Sequence, residues 1–144
     1  MATLKRPPAI RAADTTRDFS GIVALYRELG WSHAADPSRL RIAVERSALS
    51  IVAVDEDDAV VGFARALSDD AFAVYIADVL VRPSRQRQGI GRALVETILA
   101  RYPLERYHHQ VLVAERGAEG FYRRLGLVPV SAYGLTGFIR ARRR

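Results

Sequence analysis

The stretch from Asp78 to Leu94 holds the densest set of residues able to do chemistry, and that chemistry is phosphate binding. It runs from an apolar strand, Val79 to Val81, through a polar loop to Gly89 and Gly91, and then into helical spacing. A helix start carries free backbone N–H groups and the positive end of the helix dipole, and glycines there let the main chain approach an anion closely. Arg85, Arg87 and Arg92 add positive charge around the same loop. Two familiar nucleotide patterns do not fit. A dinucleotide fold wants a third glycine where Leu94 stands, and it wants its glycines directly after the strand, whereas seven residues separate Val81 from Gly89. A P-loop needs a lysine after its last glycine, and the only lysine of the chain is Lys5. The bland alternative is a glycine-tolerant loop ahead of a plain amphipathic helix.

Composition narrows what else the chain can do. There is no cysteine, which excludes disulfides, thiolate nucleophiles and Cys-ligated metals. Three histidines (His33, His108 and His109) leave little for metal chemistry, so no metal is expected. Hydrophobic residues at 49% and charged residues at 26% exclude a disordered chain, and 144 residues predict one domain spanning 1–144 with a basic tail at 139–144. No apolar run is long enough to span a membrane, and Met1 to Pro8 has no apolar core of the signal-peptide kind. The expectation is a cytoplasmic protein with no membrane partner. The net charge of +6 owes most to Arg140, Arg142, Arg143 and Arg144; without them the chain is near neutral. That tail reads as solvated. Docking to nucleic acid through it is the weaker reading, because no basic–aromatic RNA signature accompanies it.

The elements that must position the loop follow from periodicity. A short strand, Ala9 to Ala13, precedes a helix from about Arg17 to Leu29 with cap candidates at Asp14, Thr15 and Thr16 and a stop at Gly30. Asp36 and Pro37 open a second helix, burying Leu40, Ala43 and Val44. Leu49 to Val54 and Ala59 to Leu67 form a hairpin around the acidic turn Asp55 to Asp58, and a third run extends from Phe72 to Val81. Gly89 to Tyr102 is helical, Gln110 to Ala114 a strand, and Gly117 to Leu125 a short helix ended by Gly126. Leu127 to Val130 and Leu135 to Ile139 are predicted as closing strands. The order predicts an α/β fold with an initially antiparallel sheet and a crossover helix to a parallel neighbour.

Gln86, Gly89 and Gly91 after the strand Val79 to Val81 resemble the Q/R-x-x-G-x-G/A segment of the GCN5-related N-acetyltransferase (GNAT) superfamily. A second segment, with Ala118, Phe121, Tyr122, Leu125, Gly126 and Leu127, resembles that family's late helix. The likeness runs from about Ile10 to Ile139. At finer grain, Gly30-Trp31, the stretch Val61 to Ala66, the stretch Ser68 to Phe72, and Gly137-Phe138 are similar to the plant-plastid and bacterial branch that acetylates arylalkylamines and other amines. The resemblance implies a mixed, mostly antiparallel sheet of six to seven strands flanked by about four helices, with a splayed central strand pair. It implies acetyl-CoA as cosubstrate and no metal. The cofactor pyrophosphate falls to the backbone N–H groups of Arg87, Gln88, Gly89, Ile90, Gly91 and Arg92, and the pantetheine arm to Val79 and Val81. Many family members carry an asparagine seven residues before the late tyrosine, where this chain has Glu115.

Acyl transfer to an amine needs an uncharged nucleophile, and a free alkylammonium has a pKa near ~10, so some group must accept a proton. The resemblance implies Tyr122 as the acid that protonates the departing thiolate. Asp78 is the candidate base, with an ion pair or strand-end role as its alternative. Val79 N–H is the candidate oxyanion donor. Trp31, Glu28 and Tyr75 are the candidate acceptor-side residues, while His33 reads as incidental. The activity implied is transfer of an acetyl group to a primary amine, a small molecule or a lysine side chain, by direct attack in a ternary complex. A CoA-binding regulatory module without turnover is the alternative. Oligomeric state stays open, a homodimer included.

Overall fold

A computed structural model describes residues 6–142 of the chain. Arg143 and Arg144 of the basic tail lie outside the described residues. The chain forms two compact units, the first running to Val113 and the second from Ala114.

The first unit is a five-stranded sheet in the order β1-β2-β3-β4-β5: β1 Ala9–Ala12, β2 Leu49–Val54, β3 Val60–Ser68, β4 Ala73–Val81 and β5 His109–Leu112. The first four strands pair antiparallel, and β5 joins β4 in parallel. Helices α1 (Phe19–Glu28) and α2 (Pro37–Arg46) cover one face. There Ile22, Leu25 and Tyr26 of α1 and Leu40 and Val44 of α2 pack on Val52, Val54, Val60, Phe63 and Leu80. Helix α3 (Ile90–Arg101) supplies the crossover from β4 to β5 and covers the other face. A Cβ at Gly62 would stand 3.0 Å from both Ile90 Cγ2 and Leu94 Cδ1, so glycine here lets α3 sit tight on β3.

Local chemistry sets the helix ends. Asp36 accepts a hydrogen bond from Arg39 N–H at the start of α2, with Pro37 in its first turn. Gly30 takes φ +72° after α1, as its predicted stop role requires. The α1 start falls later than predicted. Asp14 caps a preceding turn through Thr16 and Arg17 N–H, and α1 begins only after the buried Asp18, whose carboxylate pairs with Arg11 at 2.7 and 2.8 Å.

The second unit contains α4 (Glu119–Arg124), closed by Gly126 at φ +88° with Leu127 N–H donating to Tyr122 C=O, and then a 3-10 turn over Val130–Tyr133. The two closing strands expected at Leu127 to Val130 and Leu135 to Ile139 are not formed, so the sheet has five strands among the described residues and not six or seven. Their β-prone side chains stand largely in solvent, Phe138 at 94% exposure. Strand propensity expresses itself only where a neighbouring strand takes up the ladder, and none does so here.

Candidate active site

Two irregularities in β4 build the site. The first is its parting from β5. The parallel ladder ends at the pair Ile76 and Leu112, so Ala77 to Val81 have no strand on that side. β5 itself ends at Leu112, so the edge of β4 beyond Ile76 is left open. Arg82 N–H donates to Val61 C=O on β3 at 2.8 Å. Amide direction alternates along a strand, so the N–H groups of Leu80 and Asp78 also point to β3, while those of Val79 and Val81 point into the gap that β5 leaves.

The second irregularity is a bulge. Asp78 opposes Arg65 and Ile76 opposes Ala66, which leaves Ala77 without a partner. Directly opposed residues share a face, and Tyr75 opposes Leu67. Arg65 and Leu67, two apart, lie on the same face, so Tyr75 and Asp78 do too. That face is the one α1 covers.

There the Asp78 carboxylate is 6% exposed, and its Oδ2 accepts two bonds: from the Tyr26 hydroxyl at 2.6 Å and from Arg65 Nε at 2.5 Å. Arg65 Nη1 also reaches Ser47 Oγ at 3.4 Å. Burial, reinforced by the Asp78 carboxylate, holds the Tyr26 phenol well above its ordinary pKa, so it stays a donor. Trp31 packs edge-on against Tyr26 at 5.8 Å, and the His33 ring lies 4.9 Å from it with a buried Nδ1 that has no partner among the described residues. Tyr75 is partly exposed on this face. Glu28, at the end of α1, lies 3.7 Å from Arg82 Nε, where β4 meets the loop.

From Val81 the chain enters a 3-10 turn, Pro83–Arg85. Gln86 Nε2 donates to Val81 C=O at 3.1 Å, taking up a carbonyl on the open edge. Arg87 and Gly89 both adopt left-handed φ, +61° and +81°, and Gly89 is the residue from which α3 starts. Backbone of this kind turns successive N–H groups toward one point and suits an anion. Arg87, Gln88 and Gly89 are exposed. Of the three arginines near the loop, Arg85 is buried and donates to Gln88 Oε1 at 3.0 Å, and Arg92 bonds Glu96 at 2.7 Å. The features present fit a ligand with an extended polar arm and a phosphate group: open amides at Val79 and Val81 leading straight to a left-handed loop and a helix start.

Tyr122 lies on α4 in the second unit, half-buried, and that desolvation pushes its phenol above the ordinary value. Among the described residues no group of three or more His, Asp or Glu could hold a metal ion, and no helix is long and apolar enough to cross a membrane. Tyr26 and Arg65 were not singled out as site residues from the sequence. The available signals were a tyrosine on an apolar helix face, whose hydroxyl needs a partner when buried, and one arginine within the apolar run of β3.

The model of the Acetyltransferase (GNAT) family matches residues 13–127, and the chain belongs to that family. Among curated proteins it is 33% identical over 141 residues to serotonin N-acetyltransferase 2, chloroplastic, from Oryza sativa subsp. japonica, covering 94% of this chain and 70% of the relative. It is 34% identical over 111 residues to GCN5-related N-acetyltransferase 1, chloroplastic, from Arabidopsis thaliana, covering 75% of this chain and 56% of that one. The chain spans 53% of the length of two algal relatives named as uncharacterized N-acetyltransferases. Among solved structures, an acetyltransferase of the GNAT family from Streptococcus pneumoniae superposes with a TM-score of 0.77 at 30% identity, covering 94% of this chain and 97% of that one. By family and fold the chain is an N-acetyltransferase.

Proposed function

We propose that this protein transfers an acetyl group from acetyl-CoA to a primary amine by direct attack in a ternary complex. The observation that carries this reading is the edge of β4 that β5 leaves open at Val79 and Val81, continuous with the left-handed loop ahead of α3. In this reading the N–H of Val81 holds the pantetheine arm, and that of Val79 meets the thioester carbonyl at its end. The backbone amides of Arg87, Gln88, Gly89, Ile90, Gly91 and Arg92 hold the pyrophosphate, with the α3 dipole behind them. Acetyl-CoA supplies the activated acetyl thioester. The family match over residues 13–127 supports this reading.

The chain's own groups divide the work. Val79 N–H stabilises the negative charge that develops on the carbonyl oxygen during attack. Asp78 receives the ammonium of the incoming amine and passes its proton on toward water. The two donors on Oδ2, from Tyr26 and Arg65, hold the carboxylate in place for this transfer. Tyr122 returns a proton to the thiolate, a role that its raised pKa supports. Tyr75 and Trp31 line the acceptor side. Glu28 belongs there only through its pairing with Arg82.

Three relatives are named chloroplastic. The cytoplasmic location expected from composition is therefore a matter for fractionation of the source cell. The test of function is calorimetric titration with acetyl-CoA, then thiol release across a panel of amines. Saturable binding with turnover on at least one amine is expected. Binding with no turnover on small amines or lysine peptides would return the chain to a regulatory role, and no binding would overturn the reading.

A further inference from the structure

The network around Asp78 extends well beyond the loop and strand that bind the cofactor. Its members come from separate parts of the chain: Tyr26 from α1, Arg65 from β3 and Asp78 from β4. Both bonds land on Oδ2, while Oδ1 takes part in no hydrogen bond or ion pair found among the described residues. The clamp is rigid. The Tyr26 ring is fully buried and enclosed by Trp31, His33 and Phe63, with centroids 5.8, 4.9 and 6.0 Å away. Arg65 is 13% exposed, so neither charge of the pair is well solvated, and each depends on the other for compensation. With both bonds on Oδ2, the oxygen left to accept a hydrogen bond is Oδ1.

We propose that Tyr26 and Arg65 are positioning residues that pin Asp78 by Oδ2 and present its Oδ1 as the docking point for a positively charged acceptor ammonium. The inference rests on the acetyltransferase reading above and adds to it a selection of acceptors by charge. Tyr26 and Arg65 act through Asp78 and touch no reacting atom. The bulge at Ala77 is part of the device, since it sets Asp78 on the face of Tyr75 and within reach of α1.

The test compares two acceptors in steady state: an alkylamine, charged at neutral pH, and an arylamine such as an aniline, uncharged there. In Tyr26→Phe the ring and its packing remain and only the hydroxyl is lost. The ratio of kcat/KM for alkylamine over arylamine should fall about tenfold, chiefly through a higher alkylamine KM, while the acetyl-CoA Kd stays within twofold. Arg65→Lys, which keeps the charge but not the Nε geometry, should move the ratio in the same direction by a smaller factor. A purely structural role would lower the thermal midpoint and depress both acceptors alike, leaving the ratio unchanged, and that result overturns the proposal. A wild-type protein that turns over arylamines and alkylamines without regard to charge overturns it equally. Loss of acetyl-CoA binding in the wild type would instead fail the transferase reading, and this proposal with it.

Discussion

The side-chain amide of Gln86 donates to the carbonyl of Val81 at 3.1 Å and so ties the start of the glycine loop to the last residue of the open strand edge. The first residue of the Gln86, Gly89, Gly91 pattern thus has a local structural task. It sets where the loop leaves the strand, and with it the position of amides three to six residues further on. Gln86→Ala should therefore weaken acetyl-CoA binding without touching the cofactor directly. A lost hydrogen bond of about 1 kcal/mol corresponds to roughly fivefold in Kd. Calorimetry checks this, and an unchanged Kd would mean the loop holds its course without the tie.

Gly89 separates two effects that are usually confounded. A Cβ there would meet nothing within 4 Å, so any side chain carries the same cost of about 1 kcal/mol for its φ of +81°. Gly89→Ala and Gly89→Glu should consequently show similar falls in thermal midpoint. Their acetyl-CoA affinities should part sharply, with Gly89→Glu abolishing binding because a carboxylate enters the phosphate site. Equal affinities would remove the anion from this loop.

Tyr122→Phe should lower kcat about a hundredfold, the ordinary scale for a lost acid. The pH profile gives an independent reading. A phenol donates only while protonated, and burial holds this one above its usual value. Activity dependent on Tyr122 should therefore persist as pH rises through about 10, the ordinary phenol value. An alkaline limb well below that point would assign the acid to another group.

Stability at low pH turns on Asp18. The Arg11 guanidinium, bonded twice to its carboxylate, holds Asp18 below the usual carboxylate range against the opposing effect of burial. Its folded pKa is thus lower than its unfolded one, near ~3.9. The stabilisation is present above the unfolded value and is lost as pH falls through the folded one. Asp18→Asn should cost about 2 kcal/mol at pH 7, and the difference from wild type should shrink steadily below about pH 4. A gap that stays constant with pH would show that the carboxylate's charge is not what matters.

The sequence located α1, α2, the β2–β3 hairpin, β4, α3 and β5 within a few residues, because the helices carry apolar residues at helical spacing and the strands are short apolar runs bounded by turns. It failed at Leu127 to Val130 and Leu135 to Ile139, where apolar and β-branched residues are present but no strand is there to receive them. The glycine loop was legible as a candidate phosphate site because its residues are local: Gln86, Gly89 and Gly91 lie within six residues. Asp78 was legible as a residue but not as a site. Its partners, Tyr26 and Arg65, lie 52 and 13 positions away, and only the packing of α1 on the sheet brings them to one oxygen.

The unpaired Ala77 has a further effect on how β4 encodes its two faces. Val74, Ile76, Asp78 and Leu80 are all buried, so the strand's in–out rhythm runs unbroken from end to end. The layers behind that rhythm nevertheless exchange at Ala77. Before it, the odd-numbered Tyr75 looks toward the α1 side; after it, the even-numbered Asp78 and Leu80 do. The strand is written in two phases that hydrophobicity cannot tell apart. Deleting Ala77 would restore a single phase with scarcely any change in polarity pattern. It would also leave Asp78 opposite Arg65 and Ile76 opposite Ala66, so both faces would keep their present residues while the local kink and added twist of the bulge were lost.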